Sequence, residues 1–360
     1  MSDAKKMARR DFLKKAAVGV AAGAAAAQLG AFAAPPDPKT IRGYNPKMEY
    51  RALGDTGLWV SAVCLGGHWK RVNRVAPGCF DGDNWLGVDM NHEGFIKNRY
   101  DVVSRCIEHG LNYIDACTWR EVVAYGRALK DRREAMHLGF SWYEEEMRNE
   151  NFRTADKLLS TLDKGMNEAG LEYVDLWRIT MHEQSSRHTD AEVDEMMKGL
   201  AKAKEQGKAR LTGFSSHDRP HIAGLIEKYP EVVDAVVTPF TAKSKERPTD
   251  SLFETTRKYG VGVFGIKPFS SGSLFANDGE ESQENDERAR LTIRYVLATD
   301  AITAPIPGMI TTQQVDNVVR AVQERRELDL QEQARLEQAA EEMVANLPPD
   351  YQWLRDWEWV

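Results

Sequence analysis

The chain has 360 residues, 42% of them hydrophobic, enough for one large domain with a substantial core and short for two. Its formal charge is −7 and its lysines and arginines are interspersed with acids, so no whole-protein field draws it to nucleic acid, and none is expected as a partner. Cys64, Cys79, Cys106 and Cys117 are scattered, with no CxxC pair and no disulfide-framework spacing, and read as core residues.

Residues 1–33 read as an export signal. Lys5, Lys6, Arg9, Arg10, Lys14 and Lys15 precede an Ala/Gly/Val run over 16–27, the layout of a secretory leader. Arg9 and Arg10 stand directly before Asp11, Phe12 and Leu13, similar to a twin-arginine signal, and Ala31-Phe32-Ala33 offers a small-x-small cleavage site. The expected mature chain starts near Ala34 and is periplasmic or extracellular, with the twin-arginine export machinery as a partner. The alternative is an uncleaved membrane anchor; against it, the apolar run is Ala-rich, short of ~20 strongly apolar residues, and followed by Pro35 and Pro36. No later segment is long and apolar enough to cross a bilayer, so no stable membrane insertion is expected after cleavage.

After a linker over 34–48, the main domain is expected over 49–347, with an aromatic tail over 348–360. The segment YRALGDTGLWVS has two apolar runs around Gly-Asp-Thr-Gly and predicts a β-hairpin placed to close the bottom of that domain. Short apolar runs then alternate with longer amphipathic stretches, the pattern of repeated βα units. Strands are expected at 62–65, 112–115, 136–140, 174–180, 209–214, 235–238, 262–266 and 301–306. Helical periodicity marks 154–169, 191–206, 288–298 and 312–322, and an extra C-terminal helix covers 331–347. Eight such units predict an α/β fold, a (β/α)8 TIM barrel. Residues 71–94 carry Pro77, Gly78, Gly82 and Gly87 without a clear period and read as a long loop over one barrel face. Trp353, Trp357 and Trp359 in the tail serve either as a packed end or as a flap lining the substrate.

The ordered series LGDTGLWVSAVCLGG, EHGLNYIDA, GLEYVDLW, GKARLTGFSS, GVGVFGIKPFSSGSL and PIPGM resembles the landmarks of the aldo-keto reductases from first strand to last, over nearly the whole mature chain. That resemblance implies NAD or NADP as cofactor and a tyrosine acid supported by an aspartate, a lysine and a histidine. Asp115 matches the aspartate. Arg120 stands where the tyrosine is expected, Ser141 where the lysine is, and Thr180 where the histidine is, so the tetrad is largely lost. His182 comes two residues after Thr180, on the same strand face, and is the candidate substitute. Asp115, His182 and Arg120 are therefore the candidate catalytic residues.

The same resemblance puts Ser215 and Ser216 at the family's carboxamide-binding pair, Thr238 at its glutamine, and Lys267 and Gly272 in the loop that holds a pyrophosphate. Gly308 begins the expected turn at the adenosine end, with Thr311 as a phosphate or ribose donor. Ile310 and Gln314 replace basic residues there and argue against a strong NADP preference.

Strand ends carry further chemistry. His68, Asp115, His182 and His217 are of metal-ligand types and could converge, with Glu121 or Glu183 in support, but the spacing is no local motif and no metal is assigned; the other reading has them bind substrate hydroxyls. Trp69, Trp119, Trp142 and Trp177 also lie near strand ends. With His68 and His217, the first three are the candidate substrate residues: aromatic faces with polar neighbours suit a sugar-like small molecule. Three functions are compatible with these residues: an exported oxidoreductase acting on a carbonyl or sugar-like substrate; a non-catalytic ligand-binding barrel; or a repurposed lyase, isomerase or hydrolase.

Overall fold

The turn Gly54-Asp55-Thr56-Gly57 joins β1 (Tyr50–Ala52) to β2 (Trp59–Ser61), which pair antiparallel with Ala52 opposite Trp59. Gly54 takes φ 52°, and a side chain there would run into the backbone of Gly260, 2.2 Å from its carbonyl oxygen, so glycine lets the hairpin press against the strand above it. Leu53 and Val60 enter the barrel interior, where they cluster with Cys64, Tyr113, Leu176, Val237 and Phe264. The computed structural model describes residues 37–81, 85–246 and 252–355; the export signal expected over 1–33, Trp357 and Trp359 lie outside them.

Eight strands build the barrel: β3 (Leu65–Gly66), β4 (Tyr113–Asp115), β5 (His137–Phe140), β6 (Val174–Thr180), β7 (Ala209–Ser215), β8 (Ala235–Pro239), β9 (Gly262–Ile266) and β10 (Ala304–Ile306). Each lies parallel to the next in chain order. The Cys64 N–H bonds Pro305 O at 3.0 Å and the Gly66 N–H bonds Pro307 O at 2.9 Å, joining first strand to last and closing the (β/α)8 barrel. The first and last strands are shorter than the apolar runs 62–65 and 301–306 suggest, because β3 pairs β4 only at Leu65 and Gly66 and β10 pairs β9 only over Ala304–Ile306.

Between and after the strands run α1 (Glu93–His109), α2 (Trp119–Ala128), α3 (Ala155–Ala169), α4 (Asp190–Glu205), α5 (Arg219–Lys228), α6 (Leu252–Tyr259), α7 (Gln283–Leu297), α8 (Thr312–Gln323) and α9 (Leu330–Ala345). Thr118 and Thr189 cap α2 and α4 in reciprocal capping boxes with Glu121 and Glu192. Period-two alternation sorts the strand residues: on β6, Leu176 belongs to the interior cluster, while Trp177 and Ile179 pack into the larger core between barrel and helices. Within the 71–94 segment, Cys79, Val88 and Met90 are buried in that larger core, so this loop is packed down rather than draped. After α9 the chain forms a 3-10 turn, Pro349–Leu354, in which Tyr351 and Leu354 are buried with Leu347. Among the described residues, no helix is long and apolar enough to cross a membrane.

Candidate active site

The floor of the barrel mouth is a buried ion pair. Asp115 ends β4, and Arg178 projects inward from β6 to reach it, Nε donating to Oδ1 at 2.9 Å and Nη2 to Oδ2. Gly139 on β5 makes room, since a Cβ there would sit 2.1 Å from the Tyr113 hydroxyl. Arg178 Nη1 donates to Thr180 Oγ1 at 3.0 Å, and Thr180 Oγ1 lies 2.8 Å from Ser141 Oγ. Ser141 Oγ donates to Glu146 at 2.5 Å, and this buried carboxylate also takes the Thr180 N–H (2.7 Å) and the Trp142 N–H (3.0 Å). Burial pushes the Asp115 carboxyl up while Arg178 pulls it down. Burial also raises Glu146 above its usual range, despite its three donors.

At one side of the rim, His68 follows β3 and faces the start of α2. Its Nδ1 lies 2.8 Å from Glu121 Oε1, and Cys117 Sγ lies 3.8 Å from Nδ1 and 3.9 Å from Nε2. Desolvation favours the neutral ring, but Cys117 and Glu121 more than reverse it and raise the His68 pKa well above the ordinary imidazole value. Among the described residues, His68, Cys117 and Glu121 form the one group whose ligand atoms converge closely enough to hold a metal ion. The expected convergence of His68 with Asp115, His182 and His217 does not form a ligand set.

The opposite side is cationic and aromatic. His217 follows β7, is buried, and stacks on Trp353 with centroids 4.3 Å apart; Lys267 Nζ approaches its Nε2 at 3.4 Å. Burial, then Lys267, holds His217 well below its usual pKa, so it is neutral. Burial lowers Lys267 to about 8. Tyr351 lies under two ammonium groups, Lys70 at 5.0 Å and Lys267 at 5.9 Å. The C-terminal segment therefore both packs and covers the mouth. His182 stands at the rim with Nδ1 accepting the Gln184 N–H at 3.2 Å, which puts the proton of its neutral ring on Nε2. Desolvation lowers its pKa.

The candidate cofactor residues divide by strand face. Ser215 faces the interior at the end of β7. Ser216 turns the other way and spends its hydroxyl on Ser185 Oγ (2.8 Å) and Glu183 O (3.1 Å). Thr238 lies beside the inward-facing Val237, its buried Oγ1 without a hydrogen-bond partner among the described residues. The loop after β9 fits an anionic group best. Lys267, Ser270, Ser271 and Gly272 all take positive φ, 59°, 46°, 61° and 92°. Ser270 Oγ is buried without a partner among the described residues, Lys70 Nζ donates to Ser271 Oγ at 2.5 Å, and the Arg71 guanidinium lies so close that a Cβ on Gly272 would come within 2.2 Å of it. These donors and charges suit a dinucleotide pyrophosphate. At the end where the resemblance expects adenosine, Gly308 approaches Gly67 too closely for a side chain, and the Thr311 hydroxyl already caps α8 by accepting the Gln314 N–H at 3.1 Å.

Among the aromatic candidates, Trp69 is fully buried between Phe95 and Tyr125, a packing position that leaves no stacking face at the mouth. Trp177 likewise faces the helix layer. Trp119 and Trp142 lie 6.5 Å apart beside α3, with Trp119 Nε1 bonded to Glu168 and Lys164 over the Trp142 ring at 4.3 Å. Arg120 donates to Val88 O at 3.3 Å and lies over Trp119, tying the 71–94 segment to α2.

Sequence reasoning missed Arg178, whose only signal is a charge inside the apolar run VDLWRIT. It also missed Lys70, Tyr351 and Glu144. Glu144 belongs to the run Glu144-Glu145-Glu146; burial raises it to about 7, and its Oε2 has no hydrogen-bond partner among the described residues.

A family model described as the aldo/keto reductase family matches residues 96–292. The chain is similar to an L-galactose dehydrogenase of Arabidopsis thaliana, 23% identical over 332 residues that span 84% of this chain and 97% of that protein. It is also similar to an L-glyceraldehyde 3-phosphate reductase of Escherichia coli (strain K12), 20% identical over 63% of each chain. Among solved structures, an aldo-keto reductase from Bacillus halodurans in its holo form superposes with TM-score 0.57 at 20% identity, covering 81% of this chain and 96% of that one, a likeness of fold.

Proposed function

Because this chain belongs to the aldo/keto reductase family, we propose that it works as an exported oxidoreductase, transferring hydride between a nicotinamide cofactor and a carbonyl or sugar-like substrate. The observation that carries this reading is the cationic loop after β9, where Lys70, Arg71, Lys267 and the buried Ser270 hydroxyl surround left-handed backbone suited to a pyrophosphate. The nicotinamide supplies or accepts the hydride when bound. Ser215, Lys267, Ser270 and Gly272 are the residues of this chain that would hold the dinucleotide.

The usual tyrosine, lysine and histidine are replaced by Arg120, Ser141 and Thr180, and their substitutes have other partners. Arg178 supplies the cation beside Asp115 in place of a lysine. His182 presents its Nε2–H to polarise a substrate oxygen. The sugar-like substrate is supported by the names of the relatives, a sugar dehydrogenase and a sugar-phosphate reductase.

One observation favours a second reading, a ligand-binding barrel without turnover: the Tyr351 and Trp353 contacts with Lys267 and His217 cover the loop that a cofactor needs. Native mass spectrometry of protein purified after export, with released small molecules identified, separates the two. Retained NAD or NADP supports the oxidoreductase. A protein that carries none and shows no fluorescence change on dinucleotide addition is the binding barrel.

A further inference from the structure

Three side chains outside the ion-pair network meet at the rim: Cys117 just before α2, Glu121 in its first turn, and His68 after β3. We propose that Cys117 is a nucleophile that adds reversibly to the carbonyl carbon of an aldehyde, with His68 carrying the proton and Glu121 positioning the ring.

Glu121 is built in before any ligand arrives. Its carboxylate is wholly buried and accepts the backbone N–H of His68 (2.5 Å), Cys117 (2.7 Å) and Thr118 (3.2 Å) besides His68 Nδ1. Residue 67 has to be glycine for this seat to exist, since a Cβ there would lie 2.1 Å from the carboxylate carbon. Glu121 is thus a positioning residue, fixed to His68 and unable to swing toward a substrate. The imidazole it holds lies against the sulfur, at 3.8 and 3.9 Å from its two nitrogens, and the N-terminus of α2 begins directly after Cys117. An imidazole beside a sulfur at a helix start is the environment of a nucleophilic cysteine. Cys64, Cys79 and Cys106 are buried, whereas Cys117 is half-exposed.

A metal centre fits these atoms less well. The two carboxylate oxygens already accept four N–H groups and Nδ1 is directed at Glu121, which leaves an ion His68 Nε2 and Cys117 Sγ, short of the three protein ligands of a catalytic zinc. The addition itself balances without a redox partner. The S–C bond forms, the carbonyl π bond opens onto oxygen, and the proton that leaves sulfur passes through His68 to that oxygen, giving a neutral thiohemiacetal. Reversal releases the aldehyde.

The test is the rate at which iodoacetamide modifies Cys117 in the full chain, read by peptide mass spectrometry, with glyceraldehyde or glycerol as competitor. The expected result is modification about tenfold faster than free glutathione, and about tenfold slower in His68→Gln, as for a cysteine activated by a cationic neighbour. Glyceraldehyde is expected to protect Cys117 and glycerol not. Glu121→Gln, checked for folding by circular dichroism, is expected to slow modification in the same direction. A glutathione-like rate that His68→Gln leaves unchanged overturns the proposal. So does equal protection by glycerol, or a stoichiometric metal that a chelator has to remove before labelling. The readout needs no dinucleotide, so failure of the oxidoreductase reading leaves this proposal standing, and an inert Cys117 leaves that reading standing.

Discussion

Arg178 Nε donates to Asp115 Oδ1 at 2.9 Å across the barrel interior, and both side chains are almost wholly removed from solvent. Breaking such a pair from one side leaves a buried charge without compensation. Arg178→Met is therefore expected to destabilise the fold by about 3–5 kcal/mol, and the double variant Arg178→Met, Asp115→Asn to recover part of that loss. Urea denaturation of the two variants measures both.

At the opposite end of the barrel, the wholly buried Asp175 receives Arg133 Nη2 at 2.6 Å, Arg42 Nη1 at 3.1 Å and His137 Nδ1 at 3.1 Å. Burial opposes its charge, but His137, Arg133 and Arg42 prevail and hold it well below its ordinary 3.8. A depressed carboxyl contributes stability that is present above its unfolded pKa and is lost as pH falls below that value toward the folded one. Asp175→Asn is expected to be less stable near neutral pH and to show a flatter decline of stability below 3.8, which thermal melts across the acid range detect.

Lys267 carries the reverse sign. Its folded pKa of about 8 lies below its ordinary 10.5, so the fold disfavours the ammonium; the penalty is full below about 8 and fades as pH rises from there to 10.5. Stability is expected to gain over that window, while affinity for an anionic ligand at the loop after β9 falls. Dinucleotide titrations across it check this, with Lys267→Met expected to flatten the profile.

Trp353 lies flat on His217, rings 26° from parallel. Trp353→Ala is expected to cost about 0.5–1.5 kcal/mol for the ring pair beyond the area it buries, and to speed ligand entry because the mouth loses part of its cover. Stopped-flow binding and denaturant melts on the same variant separate the two effects.

Export is expected to depend on the arginine pair. Arg9→Lys with Arg10→Lys should leave the chain in the cytoplasm with its leader uncleaved, which fractionation and intact mass measure.

All eight strands show in the sequence because parallel strands covered on both faces read as apolar runs, and 174–180 and 262–266 match their observed bounds. The hairpin shows because Gly-Asp-Thr-Gly leaves the chain few other conformations. The site is less legible, for two physical reasons. A shift of one residue turns a side chain to the other face of a sheet, so Ser216 and Thr238 sit beside the interior rather than in it. And contacts between loops leave no local pattern: nothing in a string of letters shows that His68 meets Glu121, or that Arg178, far along the chain, answers Asp115. Trp69 comes only a few residues after a strand end, but the chain has already turned beneath α1, and its indole packs on Phe95.

Chain order gives the cover over the mouth a timing. During synthesis the last barrel strand is made at Ile306, whereas the turn that lays Tyr351 beside Lys70 and Lys267 emerges only after α9 is complete. The cover over the mouth is thus supplied by the last described stretch of the chain to be made, through the Tyr351 and Trp353 contacts with Lys70, Lys267 and His217.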